Sequence, residues 1–195
     1  PASVDQKLSL PESWGGVLAQ LRSSARGEDL RKIRKHGLRY RIVRDEEAIR
    51  RFYGEMYVPH LTNRFGSSAY IEPEWKVRYC AENGALMEIL REGEVVAGQV
   101  LFGDRQSLQL LWAGTSGGEF GQQSQGVFPA LYYFGLLYAF ERGYHEADYC
   151  GSRPLLSDGI GRTAVTAGAI LMALSPAMVF YSRMFIQESL FACFA

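Results

Sequence analysis

Apolar and polar residues follow two different periods along this chain, and the switches between them outline its elements. Residues 14–21 and 29–33 carry apolar side chains at helical spacing, interrupted near Gly27 and stopped at Gly37, a residue suited to ending helices. Residues 38–43 then alternate apolar and basic, the signature of a half-buried strand. Asp45 is placed to cap a helix from Glu46, on which Ile49, Phe52, Tyr53 and Met56 recur at three- and four-residue spacing. Pro59 is expected to end that helix. A basic and aromatic turn at 60–65 leads to a short helix at 72–82 with a proline in its first turn.

The middle of the chain reads as sheet. Residues 86–90 and 95–102 predict two strands joined by a glycine-containing turn at 91–94, and residues 107–114 predict a third. Residues 115–126, with four Gly and three Gln in twelve positions, form a long polar loop. Residues 127–142 are apolar on nearly every side, so their helix must be buried on most faces; Pro129 sits in its first turn and Gly143 just past its end. A last strand is expected at 146–150. The order predicts an α+β fold, a mixed central sheet with helices on both faces, in which the last crossover is parallel.

Composition narrows the function classes. The 195 residues are 47% hydrophobic and 13% aromatic, enough apolar mass for a packed core and too much for a disordered chain. Lys and Arg (21) balance Asp and Glu (21), so no global field draws the protein to nucleic acid or anionic membrane. The charge is uneven, however. Residues 22–51 hold eleven basic residues against five acids, a local net charge of +6 that suits either a contact with tRNA or an acidic lipid surface, or a solvated helix face. Cys80, Cys150 and Cys193 show no Cys-x-x-Cys spacing, and His36, His60 and His145 lie in different elements, so neither a disulfide framework nor a metal site is expected. A cytoplasmic protein fits this cysteine usage. The first residues lack the basic start and apolar run of a secretory signal, and the opening Pro points to a fragment or a processed form.

The last third poses a membrane question. Residues 163–182 are uncharged throughout, just long enough to span a bilayer. Their alanine content and Pro176 argue instead for two closing strands, at 170–174 and 178–181, and for no stable membrane span. The expected layout is a basic helical segment at 1–37, the main domain at 38–183 and an apolar tail at 184–195.

Several stretches carry a resemblance: DLRKIRKHGLRY at 29–40, FYGEMYVPHLTNRFG at 52–66, EGEVVAGQVLF at 92–102, and ALYYFGLLYAFERGYHEADYCGSR at 130–153, followed by Asp158-Gly159. Their order over residues 14–170 resembles the GNAT acyltransferase superfamily, and within it the FemAB-like branch of peptidoglycan aminoacyltransferases. Members of that branch commonly carry two such folds in tandem, so the chain resembles the C-terminal half of a longer protein. The resemblance implies transfer of an acyl or aminoacyl group to an amine of a small molecule, a peptide or a cell-wall precursor. Acyl-CoA or aminoacyl-tRNA would be the donor substrate, with no permanently bound cofactor.

In that fold the donor's phosphates rest at the start of the helix after the loop, here Ser124, Gln125, Gly126 and Val127; an ordinary helix cap is the alternative. Asp148 and Arg153 flank the C-terminal end of the last predicted strand, where crossover folds bind ligands, and are the candidates for base and anion binder. A strand-end cap and an ion pair with Asp158 are the respective alternatives. Tyr57, Arg64 and Tyr132 are candidates for an acceptor pocket, unless the aromatic members are core. Cys150 with His145 makes a poor nucleophile pair, because nothing completes a triad. One departure stands out. Where the family shows a basic tract ending in Trp-Gly, this chain reads Ala164-Val165-Thr166-Ala167-Gly168, so a catalytically degenerate module that only binds is the alternative function.

Overall fold

The computed structural model describes residues 4–21, 23, 25–104, 106–116 and 125–152. The chain divides into two compact units, residues 6–150 and residues 1–5 with 151–195. The expected strands at 170–174 and 178–181, the tail at 184–195, Ser124, Arg153 and the 164–168 tract lie outside the described residues.

The described elements run β1 (Val4–Ser9), α1 (Trp14–Gln20), a π-helical turn (Ala25–Asp29), α2 (Leu30–Lys35), β2 (Arg39–Val43) and α3 (Glu46–Arg51). A second π-helical turn (Phe52–Tyr57), α4 (Val58–Phe65), α5 (Glu74–Asn83), β3 (Ala85–Arg91), β4 (Glu94–Gly103) and β5 (Ser107–Thr115) follow, then α6 (Val127–Glu141) and β6 (Glu146–Ser152). Among the described residues the six strands form one mixed sheet in the order β1-β6-β5-β4-β3-β2. From β2 to β5 the pairing is antiparallel, and β6 joins β5 in parallel. The expected α+β architecture, with its parallel final crossover, is the one observed.

Local chemistry accounts for most boundaries. Asp45 caps α3 as expected, its carboxylate accepting the Ala48 N–H at 2.9 Å. Helices α2 and α6 end alike, with Gly37 (φ 57°) and Gly143 (φ 75°) in the left-handed conformation. At each end two hydrogen bonds recapture orphan carbonyls: Leu38 N–H donates to Ile33 O and Gly37 N–H to Arg34 O, as Tyr144 does to Ala139 and Gly143 to Phe140.

Two expectations are corrected. Residues 4–9, expected within a helical segment, form an edge strand; Leu10 N–H donates to His145 O, and Lys7 pairs with Glu146, holding the segment beside β6. Pro59 does not end the helix from Glu46. The chain widens into the π-helical turn, where Val58 N–H reaches back five residues to Tyr53 O, and a new α-helix starts with Pro59 in its first turn, where a missing N–H costs little.

Each face of the sheet carries helices. Helices α1, α2 and α6 cover one face around Met87, Ile89, Leu101 and Leu110. The second face packs Leu86 and Val100 against Ile49, Phe52, Met56 and Val77 of the α3 to α5 stretch. Two glycines set the spacing of these layers. A Cβ on Gly135 of α6 would stand 2.4 Å from Leu110 Cδ2, and one on Gly114 of β5 would stand 2.5 to 2.7 Å from the backbone of Met56 and Tyr57. The end of β5 is therefore pressed against the π-helical turn.

Candidate functional site

The sheet opens between its two parallel strands. Strands β5 and β6 pair only from Ser107 with Glu146 to Gln109 with Asp148, yet β5 continues to Thr115 and β6 to Ser152. Past Asp148 the described residues of the two strands no longer pair with each other, which leaves a wedge-like break in the sheet's hydrogen bonding at their C-terminal ends.

Side chains from opposite faces meet in this wedge. His60, on α4, covers one face, and Phe128, in the first turn of α6, belongs to the other; their rings lie 5.1 Å apart. Helices on opposite faces of a sheet touch only where the sheet is open. His60 is buried, and a nitrogen of its ring, Nδ1, is 3.3 Å from the hydroxyl of Thr115, the last residue of β5. Burial, with the nearby Arg64 charge second, lowers the His60 pKa below 6.5 and favours the neutral ring, which can accept a proton.

Tyr132 and Tyr149 form the other wall, with ring centroids 5.4 Å apart. Burial raises both phenol pKa values, so each hydroxyl is a donor at neutral pH; Arg64 opposes the rise at Tyr132. Beside them a cavity of about 310 Å³ opens between α6 and the α1–α2 segment, lined by Leu21, Leu30, Ile33, Phe128, Tyr132 and Tyr149. Its lining is apolar and aromatic, with Asp29 contributing a carboxylate.

The start of α6 completes the site. Gly126 (φ 84°) turns the chain into the helix so closely over α2 that a Cβ there would stand 2.8 Å from Lys32 Cβ. Among the described residues no side chain caps this terminus and no acid occupies its first turn, an arrangement suited to an anion at the positive end of the helix. Gln125 accepts a hydrogen bond from Arg91 at the end of β3, which ties the loop to the same end of the sheet as Thr115.

The sequence candidates divide on this geometry. Gln125, Gly126 and Val127 stand together at the helix start. Arg64 and Tyr132 border the wedge, and the Arg64 guanidinium also lies 5.2 Å from the Phe65 ring centroid. Tyr57 is instead 2% exposed, between the rings of Phe52, Tyr53 and Trp112, and its hydroxyl accepts the Glu72 N–H. Asp148 sits where β5 and β6 part, but one of its carboxylate oxygens accepts the Cys150 N–H at 2.7 Å. Cys150 has a left-handed φ of 61°. It is five residues from His145 along β6, about 16 Å at strand rise, too far for the two to act together. His60 and Thr115 are the residues that sequence reasoning missed. A histidine among the apolar positions Val58 and Leu61 of α4 was the only signal, and its partner lies 55 positions away.

No protein-family model matches the chain, and no curated protein matches it in sequence. Solved structures do match in fold. The structure of L-PGS from Bacillus licheniformis superposes with a TM-score of 0.51 at 12% identity, over 84% of this chain and 52% of that one. A conserved protein of unknown function from Bacteroides thetaiotaomicron superposes with a TM-score of 0.53 at 10% identity, over 84% and 55% respectively. The chain thus spans about half the length of the structures it matches. Their likeness shows that this chain shares their fold, an α+β arrangement built on one mixed sheet with helices on both faces.

Proposed function

We propose that this chain is a transferase domain that moves an acyl or aminoacyl group from a phosphate-bearing donor to an amine. The observation that carries the reading is the meeting of the buried His60 with Thr115 at the end of β5 and with Phe128 at the start of α6, where β5 and β6 cease to pair. Acyl transfer to an amine needs the amine deprotonated before attack and the donor's phosphates held away from it. His60 would take the ammonium proton. The amine would then bond to the acyl carbon as that carbon's bond to the donor's sulfur or ribose oxygen breaks, and the second proton shed by the nitrogen would pass to the leaving thiolate or alkoxide. The N–H groups at Gly126 and Val127 would cradle a phosphate. Tyr132 or Tyr149 would donate a hydrogen bond to the carbonyl oxygen as negative charge develops on it. Asp148 orients the end of β6 through its bond to Cys150.

Aminoacyl transfer of the FemAB type, with aminoacyl-tRNA as donor and a peptide or cell-wall precursor as acceptor in the cytoplasm, is the finer reading. Its aminoacyl part, though not its acceptor, draws support from the likeness in fold to L-PGS. It draws support also from α2, whose exposed Arg31, Arg34 and Lys35 stand beside the start of α6 and would meet tRNA phosphates. Coenzyme A is the other donor that fits the same helix start. No helix among the described residues is long and apolar enough to cross a membrane.

Titration with acyl-CoA and with aminoacyl-tRNA, followed by a transfer assay on a panel of primary amines, tests the reading. A transferase binds one donor and releases its acyl group only in the presence of amine. The Arg153→Ala variant should then weaken donor binding by about 1–3 kcal/mol, the value of a charge-assisted hydrogen bond. Binding of a donor without transfer to any amine would favour the degenerate module that the 164–168 tract suggests, and binding of neither donor would sink both.

A further inference from the structure

The sheet has an open edge with a charge pattern of its own. Among the described residues strand β2 is the terminal strand and pairs only with β3. Beyond β3, no backbone hydrogen bond links residues 39–43 to another described segment, so among the described residues the alternate N–H and C=O groups on the outer side of β2 have no partner. Arg39 and Arg41 are both exposed and share one face of the strand, in register with Leu90 and Glu88. On the opposite face Tyr40 and Ile42 pack into the apolar core beneath α6. The edge opens into a groove of about 750 Å³ lined by Lys35, Arg39, Arg41, Leu90 and Arg91, with Glu92 the only acid among the described lining residues.

We infer that β2 is a docking edge for an extended peptide in which acidic and apolar residues alternate. Such a peptide would add a strand to the sheet. Its acidic side chains, two residues apart, would lie beside Arg39 and Arg41 in the groove, and its apolar side chains would extend the face formed by Tyr40 and Ile42. A second copy of this chain is the poorer occupant in the central registers: antiparallel self-pairing about Tyr40 sets Arg39 against the partner copy's Arg41, and pairing about Arg41 sets that arginine against itself, like charges directly opposed in both. The acid that neutralises Arg41, Glu88, is already shared with Arg51, so the groove keeps a positive balance that favours an anionic strand. This inference goes beyond the transferase reading and does not depend on it.

The test uses a fluorescent peptide of alternating Glu and Val and follows its anisotropy with the full chain. The expected result is binding that weakens as salt rises and falls about tenfold or more in Arg39→Glu, an exposed substitution that leaves the core untouched. Hydrogen exchange on the parent protein should show the amides of residues 39–43 slowed by the peptide, and a peptide N-methylated at alternate positions should not bind. Absence of binding overturns the inference. So does binding indifferent to N-methylation, because the contact would then be side-chain attraction without strand addition. A single-stranded RNA that displaces the peptide and loses affinity in Arg39→Glu would reassign the groove to nucleic acid.

Discussion

Replacing Gly114 by alanine is the sharpest test of how β5 positions the wedge. The added Cβ would stand 2.5 Å from the Met56 carbonyl carbon, 2.6 Å from Tyr57 N and 2.7 Å from Met56 O. Non-bonded carbon atoms rest about 3.5–4.0 Å apart, so β5 and the π-helical turn must separate by about 1 Å. Both sides of that contact are backbone in regular elements, and no rotamer change relieves it. The cost should fall near the top of the usual overpacking range, about 3 kcal/mol. Gly135→Ala is the internal comparison. Its Cβ would meet Leu110 Cδ2 at 2.4 Å, a side-chain tip that can rotate away, and alanine in mid-helix regains about 1 kcal/mol. Gly135→Ala should therefore cost about 1 kcal/mol or less. Urea unfolding of the two variants, compared at constant m-value, reads the difference directly, and a 3 kcal/mol loss also lowers Tm by about 6–12 °C in a chain of this size. If Gly114→Ala stays within about 0.5 kcal/mol of the parent, or costs no more than Gly135→Ala, the rigid contact between β5 and the π-helical turn is not what sets the wedge.

The remaining expectations are more local. The folded state holds His60 neutral, with a pKa lowered from 6.5, so below that pH the unfolded chain binds more protons than the native one; stability should be full above pH 6.5 and fall as the pH drops through it. His60→Gln should flatten that slope in thermal scans between pH 7.5 and 5.5, and it should abolish transfer activity if the imidazole takes the acceptor's proton, whereas an unchanged rate assigns that proton elsewhere. Glu88, 1% exposed on β3, receives Arg41 Nε at 2.7 Å and Arg51 Nη2 at 3.2 Å. Arg41→Met leaves the buried carboxylate one partner and should lower the urea midpoint by the equivalent of about 1–3 kcal/mol, with no change meaning that Arg51 or water suffices.

The sequence by itself determined what local physics decides. The alternation at 38–43, the apolar run of α6 and the turn residues of the β3–β4 hairpin fix strand, buried helix and hairpin through periods of a few residues. Asp45, Gly37 and Gly143 mark helix ends because a cap needs only groups within a turn of each other. The order of those elements was enough to specify the α+β sheet and its parallel last crossover.

Tertiary structure decided whatever depends on partners far along the chain. Val4–Ser9 became a strand because β6, some 140 residues later, offered it an edge. Tyr57, whose aromatic character suggested a pocket, was drawn into the core by Phe52, Tyr53 and Trp112. Glu88 could be buried in a strand only because β2 and α3 each bring it an arginine. His60 carried no spacing that marked it, since its meaning comes from Thr115 at the end of β5 and from Phe128 across an open sheet. A side chain's place in a periodic pattern is set by its neighbours in sequence, but its chemistry is set by desolvation and by charges that only the folded chain assembles.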